Sequence, residues 1–414
     1  MSRAMKDSGI PWIGEIPEGW SSIKLLYVLR AHITDGPHET PNLIDEGIPF
    51  ISIDSLNDSD TIDFSNVRKF ISYDDYLRYN IKSNIEKDDI LFTKAATIGK
   101  TAIVKDEIFM VWSPLAIIKA NHSIVCNKYL YHILNTDNLI KDVILHGSNN
   151  TQINVGMREL EAAIIPFPPL AEQQRIAEFL DRKCAEVDEM IALQEQIIEE
   201  LKAYKQSVIT EAVTKGLNPA APMRDSGIEW IGSIPEHWET AYLKRFCKVN
   251  SGREIEIELE QDSDNAVPVY GSGGVFKYTN KPLFNGEVVM FGRKGTLGKP
   301  IYANGRFWAV DTMYYLTFGN SLEARYCFYQ LVAFNWEPYI TQTALPSIVA
   351  TDIVNTSFAF PPIAEQQAIA DYLDEKCADI DSLIQTKQSK IDSLKEYKKS
   401  IIYEYVTGKR EVVL

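Results

Sequence analysis

Two glycine-bearing turns gather the side chains best suited to bind a polyanion. FTKAATIGK runs from Phe92 to Lys100, and FGRKGTLGK runs from Phe291 to Lys299. The first clusters Lys94, Thr97 and Lys100. The second clusters Arg293, Lys294, Thr296 and Lys299, with Arg253 and Lys277 expected in neighbouring loops. Short hydroxyl and long basic side chains on a turn can donate to phosphates and to base edges. A solvated hairpin carrying ordinary surface lysines has the same composition, so the pattern alone leaves both readings open. A second polar group precedes a later helix in each half: Asn149, Asn150, Thr151 and Gln152, then Thr341, Gln342, Thr343 and Ser347. Asn and Gln amides can pair with adenine through two bonds, and they equally cap turns.

Catalytic chemistry finds little footing. GRKGTLGK (Gly292 to Lys299) approaches a phosphate loop, but the interval to Gly298 is one residue too long. Pro300 stands where Ser or Thr would hold magnesium. The counterpart from Thr93 to Lys100 lacks the first glycine, so both read as tight turns between strands. The GSGG run at Gly271 to Gly274 has the wrong spacing for a dinucleotide fingerprint. Phe167-Pro168-Pro169-Leu170 is not the Pro-Pro-aromatic run of an amino-methyltransferase. Glu200-Leu201-Lys202 and Glu396-Tyr397-Lys398 imitate a nuclease tail but fall inside helical patterns. The six histidines show no paired metal-ligand spacing. No elbow motif supports a Ser or Cys nucleophile. The expectation is a binding chain with no catalytic site, no metal site and no cofactor of its own.

The elements that must position these turns are written twice. DSGIPWIGEIPEGW (Asp7 to Trp20) returns as DSGIEWIGSIPEHW (Asp225 to Trp238), 218 positions later. PPLAEQQRIAEFLDRKCAEVDEMI (Pro168 to Ile191) returns 193 positions later as PPIAEQQAIADYLDEKCADIDSLI (Pro361 to Ile384). The difference makes the first intervening segment about 25 residues longer. Ala171 to Lys215 contains no Pro or Gly, and apolar residues at 180, 184, 187, 191, 198, 201 and 208 alternate steps of four and three. Gln194 and Lys205 interrupt that series. The pattern predicts a long coiled-coil helix, started after Pro168-Pro169 and stopped at Gly216. Leu373, Cys377, Ile380, Ile384, Ile391, Leu394 and Ile401 repeat it up to Gly408, with Lys387 and Lys398 at the interruptions. Each helix of about 45 residues would span about 65 Å. The segments 20–167 and 238–360 are rich in Ile, Val, Tyr and Phe, with turn-forming punctuation, and read as mixed α/β domains. The expected architecture is α+β, with two such domains joined by two long helices packed as an antiparallel coiled coil. The internal repeat implies a pseudo-two-fold axis. The expected boundaries are 1–168, 169–216, 217–360 and 361–414.

Composition is that of an ordinary globular chain, with 45% hydrophobic and 24% charged residues. The formal net charge of −15 argues against simple coating of nucleic acid and requires any such contact to be local. Five scattered cysteines without a CxxC pair read as reduced thiols, and no apolar run reaches membrane-spanning length. With no apolar signal core near the N-terminus, a cytoplasmic location is expected.

The ordered blocks resemble the DNA-specificity subunits of type I restriction-modification systems. The resemblance rests on the Ile-Pro openings that end at Trp20 and Trp238 and on the PP-(Leu/Ile)-AEQQ starts at Pro168 and Pro361. The KGT(Leu/Ile)GK-type turn and the helix endings at Val213 and Val406 also carry it. It covers the whole chain. The first turn departs from the pattern, with Ala96 where the second has Gly295. The resemblance implies two target recognition domains, each reading one half of a split, asymmetric site on double-stranded DNA, with the helices acting as a ruler. It further implies two modification subunits that carry S-adenosylmethionine and methylate adenine, and a restriction subunit that translocates and cleaves with ATP.

Overall fold

The computed structural model describes residues 3–57, 60–65, 67–146 and 154–412. It divides into two compact units, residues 1–193 with 390–414, and residues 194–389. The long helices form as the spacing predicts, at Leu170–Lys215 and Ile363–Val406, and each gives one half to each unit. Gly216 and Gly408 follow them with φ of 74° and 72°, the left-handed conformation that ends a helix at least cost to glycine.

The first unit centres on a four-stranded antiparallel sheet in the order Thr34–Asp35, Leu115–Ile118, Ile90–Thr93, Thr101–Ile103. Beside it lies a three-stranded sheet, in which Ile48–Ile51 runs parallel to Met110–Val111 and antiparallel to Phe70–Ile71. The second unit repeats the plan. Its central sheet has the order Cys247–Ser251, Met313–Phe318, Val288–Gly292, Ile301–Ala303, and its parallel pair is Val267–Gly271 with Arg306–Ala309. Most of the extra length of the first unit lies between Ile51 and Ile90, and it includes a helix at Tyr73–Ser83 that the second unit lacks. Central strands such as Ile90–Thr93 and Val288–Gly292 are buried along their whole length, which explains their unbroken apolar character.

Both repeated blocks cover the helix ends. In the first unit Glu172 accepts from the Trp20 indole at 3.0 Å and from Arg3; in the second, Glu365 accepts from the Trp238 indole at 3.1 Å and pairs with His237. The adjacent glutamine is buried and bridges chain segments. Gln173 donates to Pro168 O at 2.9 Å and accepts from Cys126 N at 2.8 Å. Gln366 does the same with Pro361 O and Glu323 N, both at 2.9 Å. The AEQQ repeat is thus a set of bridges from the helix start to neighbouring chain segments. Gly408 packs on Pro17 and Trp20, and Gly216 packs on Trp238. Within each unit the two helix stretches run in opposite directions. The first pairs Asp188 with Lys398 at 2.7 Å and Phe179 with Tyr405 at 4.4 Å between ring centres. The second pairs Lys205 with Asp381 at 2.7 Å and sets Gly216 beside Glu365.

A short helix in each unit joins the sheet to this helix pair. Tyr129, in Asn127–Leu134, donates its buried hydroxyl toward Pro166 O and Val406 O, at 3.2 and 3.0 Å. Tyr326, in Ala324–Ala333, stands in the same relation to Ala359 O and Val213 O, at 3.0 and 3.4 Å. Three residues further on, His132 Nε2 meets Asp181 at 2.8 Å, whereas Tyr329 donates to Asp374 at 2.7 Å. All five cysteines are free, and burial pushes the Cys184 thiol up to about 11 and the Cys247 thiol up to about 12. Among the described residues no helix is long and apolar enough to cross a membrane.

His132 Nδ1 is buried without a partner, so a second proton on the ring would go unsatisfied. Burial holds this imidazole below its usual range, against the opposing pull of Asp181. An unfolded histidine takes its proton near pH 6.5, so the stability due to neutral His132 is present above that pH and is lost as pH falls below it. Burial opposes ionisation of Asp181, but bonding from His132 and Lys128 holds its carboxyl below the ordinary value. That contribution disappears only below about pH 4. Melting temperature of the first unit should therefore fall between pH 7.5 and 5.5, and His132→Gln should flatten the fall while Tyr329→Phe leaves it intact. An undiminished dependence in His132→Gln would assign the titration elsewhere. Gly408→Ala should cost the first unit about 1–2 kcal/mol from the left-handed backbone alone, read as a lower urea midpoint.

Candidate nucleic-acid interface

The two shared turns occupy one position in the two sheets. Residues 94–100 join strands Ile90–Thr93 and Thr101–Ile103, and residues 293–300 join Val288–Gly292 and Ile301–Ala303. Their backbones match. Ala96 and Gly295 have φ of 57° and 80°, and Gly99 and Gly298 have φ of 97° and 68°. Ala96 thus adopts the left-handed conformation without being glycine, at about 1–2 kcal/mol, and the departure noted in sequence leaves the turn unchanged. A Cβ on Gly295 would lie 2.6 Å from Ser272 Oγ, so a side chain there would have to turn that hydroxyl away. Ser272 Oγ also accepts from Thr296 N at 3.1 Å, which ties the turn to the Gly271–Gly274 hairpin tip.

In the second unit the polar run before the later helix is brought against the same turn. Ile348 N donates to Arg293 O at 3.0 Å, and in the first unit Val155 N donates to Lys94 O at 2.8 Å. In the second unit the two separate clusters of the sequence thus lie together, and in the first unit the counterpart of Arg293, Lys94, meets Val155. In the second unit Thr341 and Ser347 close the loop. Ser347 N donates to Thr341 Oγ1 at 3.0 Å, and the two hydroxyls are 3.1 Å apart. Gln342 and Thr343 are left facing solvent. Asn149, Asn150, Thr151 and Gln152 lie outside the described residues.

A third segment completes the surface. Gly36 and Gly252 follow the edge strands so closely against a crossing backbone that a Cβ would sit 1.9 Å from Val111 O or Val310 O. The second of these fixes Arg253, whose N–H donates to Ala309 O at 2.8 Å and whose carbonyl accepts from the Trp308 indole at 2.7 Å. Trp112 and Trp308, which mark similar places in the sequence, are not counterparts. Trp112 N donates to Ile51 O as Val310 N donates to Tyr270 O, which places Trp308 two positions earlier.

The expected contact residues separate by exposure. Arg253, Arg293, Lys294 and Lys299 are exposed, as is Thr97, and Thr296 is half-buried. Lys100 is half-buried with its ammonium on Leu56 O at 3.2 Å. Two positions differ from expectation. Lys94 turns inward and is buried, 3.4 Å from the Asp35 carboxylate. Lys277 lies on the strand Gly274–Thr279, not in a loop, and pairs with Glu258 at 2.6 Å. Sequence reasoning passed over Ser272 and Asp35. The Gly-rich tip around Ser272 was legible as a hairpin turn, but no local signal shows that Asp35 meets Lys82 and Lys94.

Comparison with known proteins agrees with this geometry. The sequence model of the type I restriction modification DNA specificity domain matches residues 17–203 and 235–406. The putative type I restriction enzyme MjaX specificity subunit of Methanocaldococcus jannaschii is 27% identical, over 97% of this chain and 96% of its own length. The MjaVIII specificity subunit of the same organism is 24% identical over 79% of this chain and 80% of its own. A chain solved in work on complex assembly and conformational transition of the type I R-M system has the same fold. Its TM-score is 0.72 at 17% identity, over 95% of this chain and 99% of that one. With two successive matches that take in both units, this chain belongs to the type I restriction-modification specificity family.

Proposed function

We propose that this chain is the sequence-reading, non-catalytic subunit of a type I restriction-modification complex in the cytoplasm. The observation that carries the reading is the recurrence, in both units, of one surface built from a basic turn and a loop hydrogen-bonded to that turn's backbone. Each unit reads one half of a split site on double-stranded DNA, and because the two surfaces differ, the half-sites differ. The reading domains are 1–168 and 217–360. Segments 169–216 and 361–414 form an antiparallel coiled coil that sets the distance between half-sites, with a pseudo-two-fold relation between the halves. The ion pairs Asp188–Lys398 and Lys205–Asp381 and the duplicated apolar spacing support that packing. Two methyltransferase subunits, carrying S-adenosylmethionine, dock on the repeated regions, and restriction subunits join them.

Phosphate contact falls to the exposed cations, and base contact to Thr97, Thr296, Gln342 and Thr343. Thr151 and Gln152 take the latter role in the first unit by their place before Val155. Lys277, Lys94, Lys100 and Ser347 act at one remove, by holding the loops. Lys294→Ala and Lys299→Ala should each weaken binding of a methylated-target duplex and make log K against log salt shallower by about 0.9. An unaltered slope would return both to ordinary solvated side chains. Four residues inserted in each long helix add about 6 Å, nearly two base pairs. The methylated motif should gain spacer bases and keep both half-sites, and an unchanged spacer would end the ruler.

A further inference from the structure

One equivalent position carries different chemistry in the two units. The edge strand ends on Asp35 in the first and on Ser251 in the second, each just before the glycine pressed against a crossing backbone. Asp35 is fully buried. Lys82 Nζ is 2.8 Å from its Oδ1, and His38 Nε2 and Lys94 Nζ are 3.1 and 3.4 Å from its Oδ2. Lys82 comes from Tyr73–Ser83, the helix present in this unit alone, and Ser83 anchors that helix by donating to Asp35 O at 3.0 Å. A buried carboxylate is tolerated only in such company. Lys94 is the counterpart of Arg293, so the acid engages the very cation that the second unit leaves in solvent. Among the described residues no ion pair is formed by Arg253, Arg293, Lys294 or Lys299, although Glu254 and Asp311 are exposed in neighbouring loops.

We propose that Asp35 is a positioning residue that sets the charge of the first reading surface. It commits Lys94 inward, while Lys82 reaches it from an exposed position, so phosphate attraction falls mainly on the second unit, and the first half-site is read with little counterion release. This rests on the DNA-reading assignment above. Release scales with the phosphates neutralised, at a slope of about −0.9 per contact.

The test uses the full chain with its methylating partner and a duplex that the complex methylates, with log K measured against log salt. Arg293→Gln should make the slope shallower by about 0.9. Removing Lys94 together with its acid, as Asp35→Asn with Lys94→Gln, should leave the slope at the wild-type value. Asp35→Asn alone should steepen it by a similar amount, because Lys94 is released. Should Asp35→Asn not fold, the double variant set against Arg293→Gln decides. The proposal falls if the double variant loses as much slope as Arg293→Gln, or if Arg293→Gln changes nothing. Failure of the unaltered complex to bind DNA would instead overturn the reading on which this rests.

Discussion

A buried tyrosine hydroxyl fixes the frame of each unit. It must find acceptors, because an unpaired hydroxyl in an apolar interior costs about 1–3 kcal/mol. The carbonyls within reach of Tyr129 belong to the strand that feeds one long helix and to the last turn of the other. The last carbonyls of a helix lack partners of their own, so the arrangement satisfies both sides. Tyr326 repeats it at Ala359 and Val213. One donor thereby sets the globular sheet, the entering strand and the departing helix in register. The neighbouring Arg325 adds charge to the same joint in the second unit. Burial works against its charged form, but bonds to Asp371, Asp374 and Glu323 more than compensate and raise its pKa.

This joint requires the end of one helix to lie beside the start of the other. The second unit satisfies the requirement with a continuous stretch of chain, from the end of the first helix to the start of the second. The first unit takes its sheet from the beginning of the chain and its closing helix turn from the end. Lys409 donates to Ile13 O at 2.5 Å and Tyr403 to Trp12 O at 3.1 Å, which fastens the two ends of the chain into one core. The opening block, with its Ile-Pro and Trp, covers the helix end in each unit, and in the first it also covers that junction.

The long helices, their glycine stops and the repeated blocks at their ends were legible because their signals are local. Period, proline and glycine act within a few residues of where they stand. The shared turn was legible for the same reason, down to its place between strands. What escaped were pairings across the chain. Lys94 looks like any surface lysine until the edge strand delivers Asp35 beside it, and Lys277 looks like a loop cation until its strand pairs with Val269 and Glu258 comes within reach. The two polar clusters of the second half appeared independent because the sequence between them, read without the sheet, hides a single hydrogen bond from Ile348 to Arg293. The offset between Trp112 and Trp308 belongs to the same class, since register is set by strand pairing and not by distance along the chain.

The division between what repeats and what varies follows from which atoms make the contacts. In the frame, the tyrosine and glutamine side chains address carbonyls and amides, so the residues that supply those backbone groups can change freely: Pro166 becomes Ala359, and Cys126 becomes Glu323. At the surface proposed to read DNA, a backbone bond joins the loop and the turn, Val155 or Ile348 to Lys94 or Arg293. That one bond needs no side chain, so the exposed residues that brace nothing, such as Arg293 and Lys294, can be exchanged without disturbing it. The same logic explains how one unit could bury a cation against Asp35 and the other expose it. Both arrangements rest on the same pairing of turn and edge strand, and the first adds Lys82 from a helix that the second unit lacks.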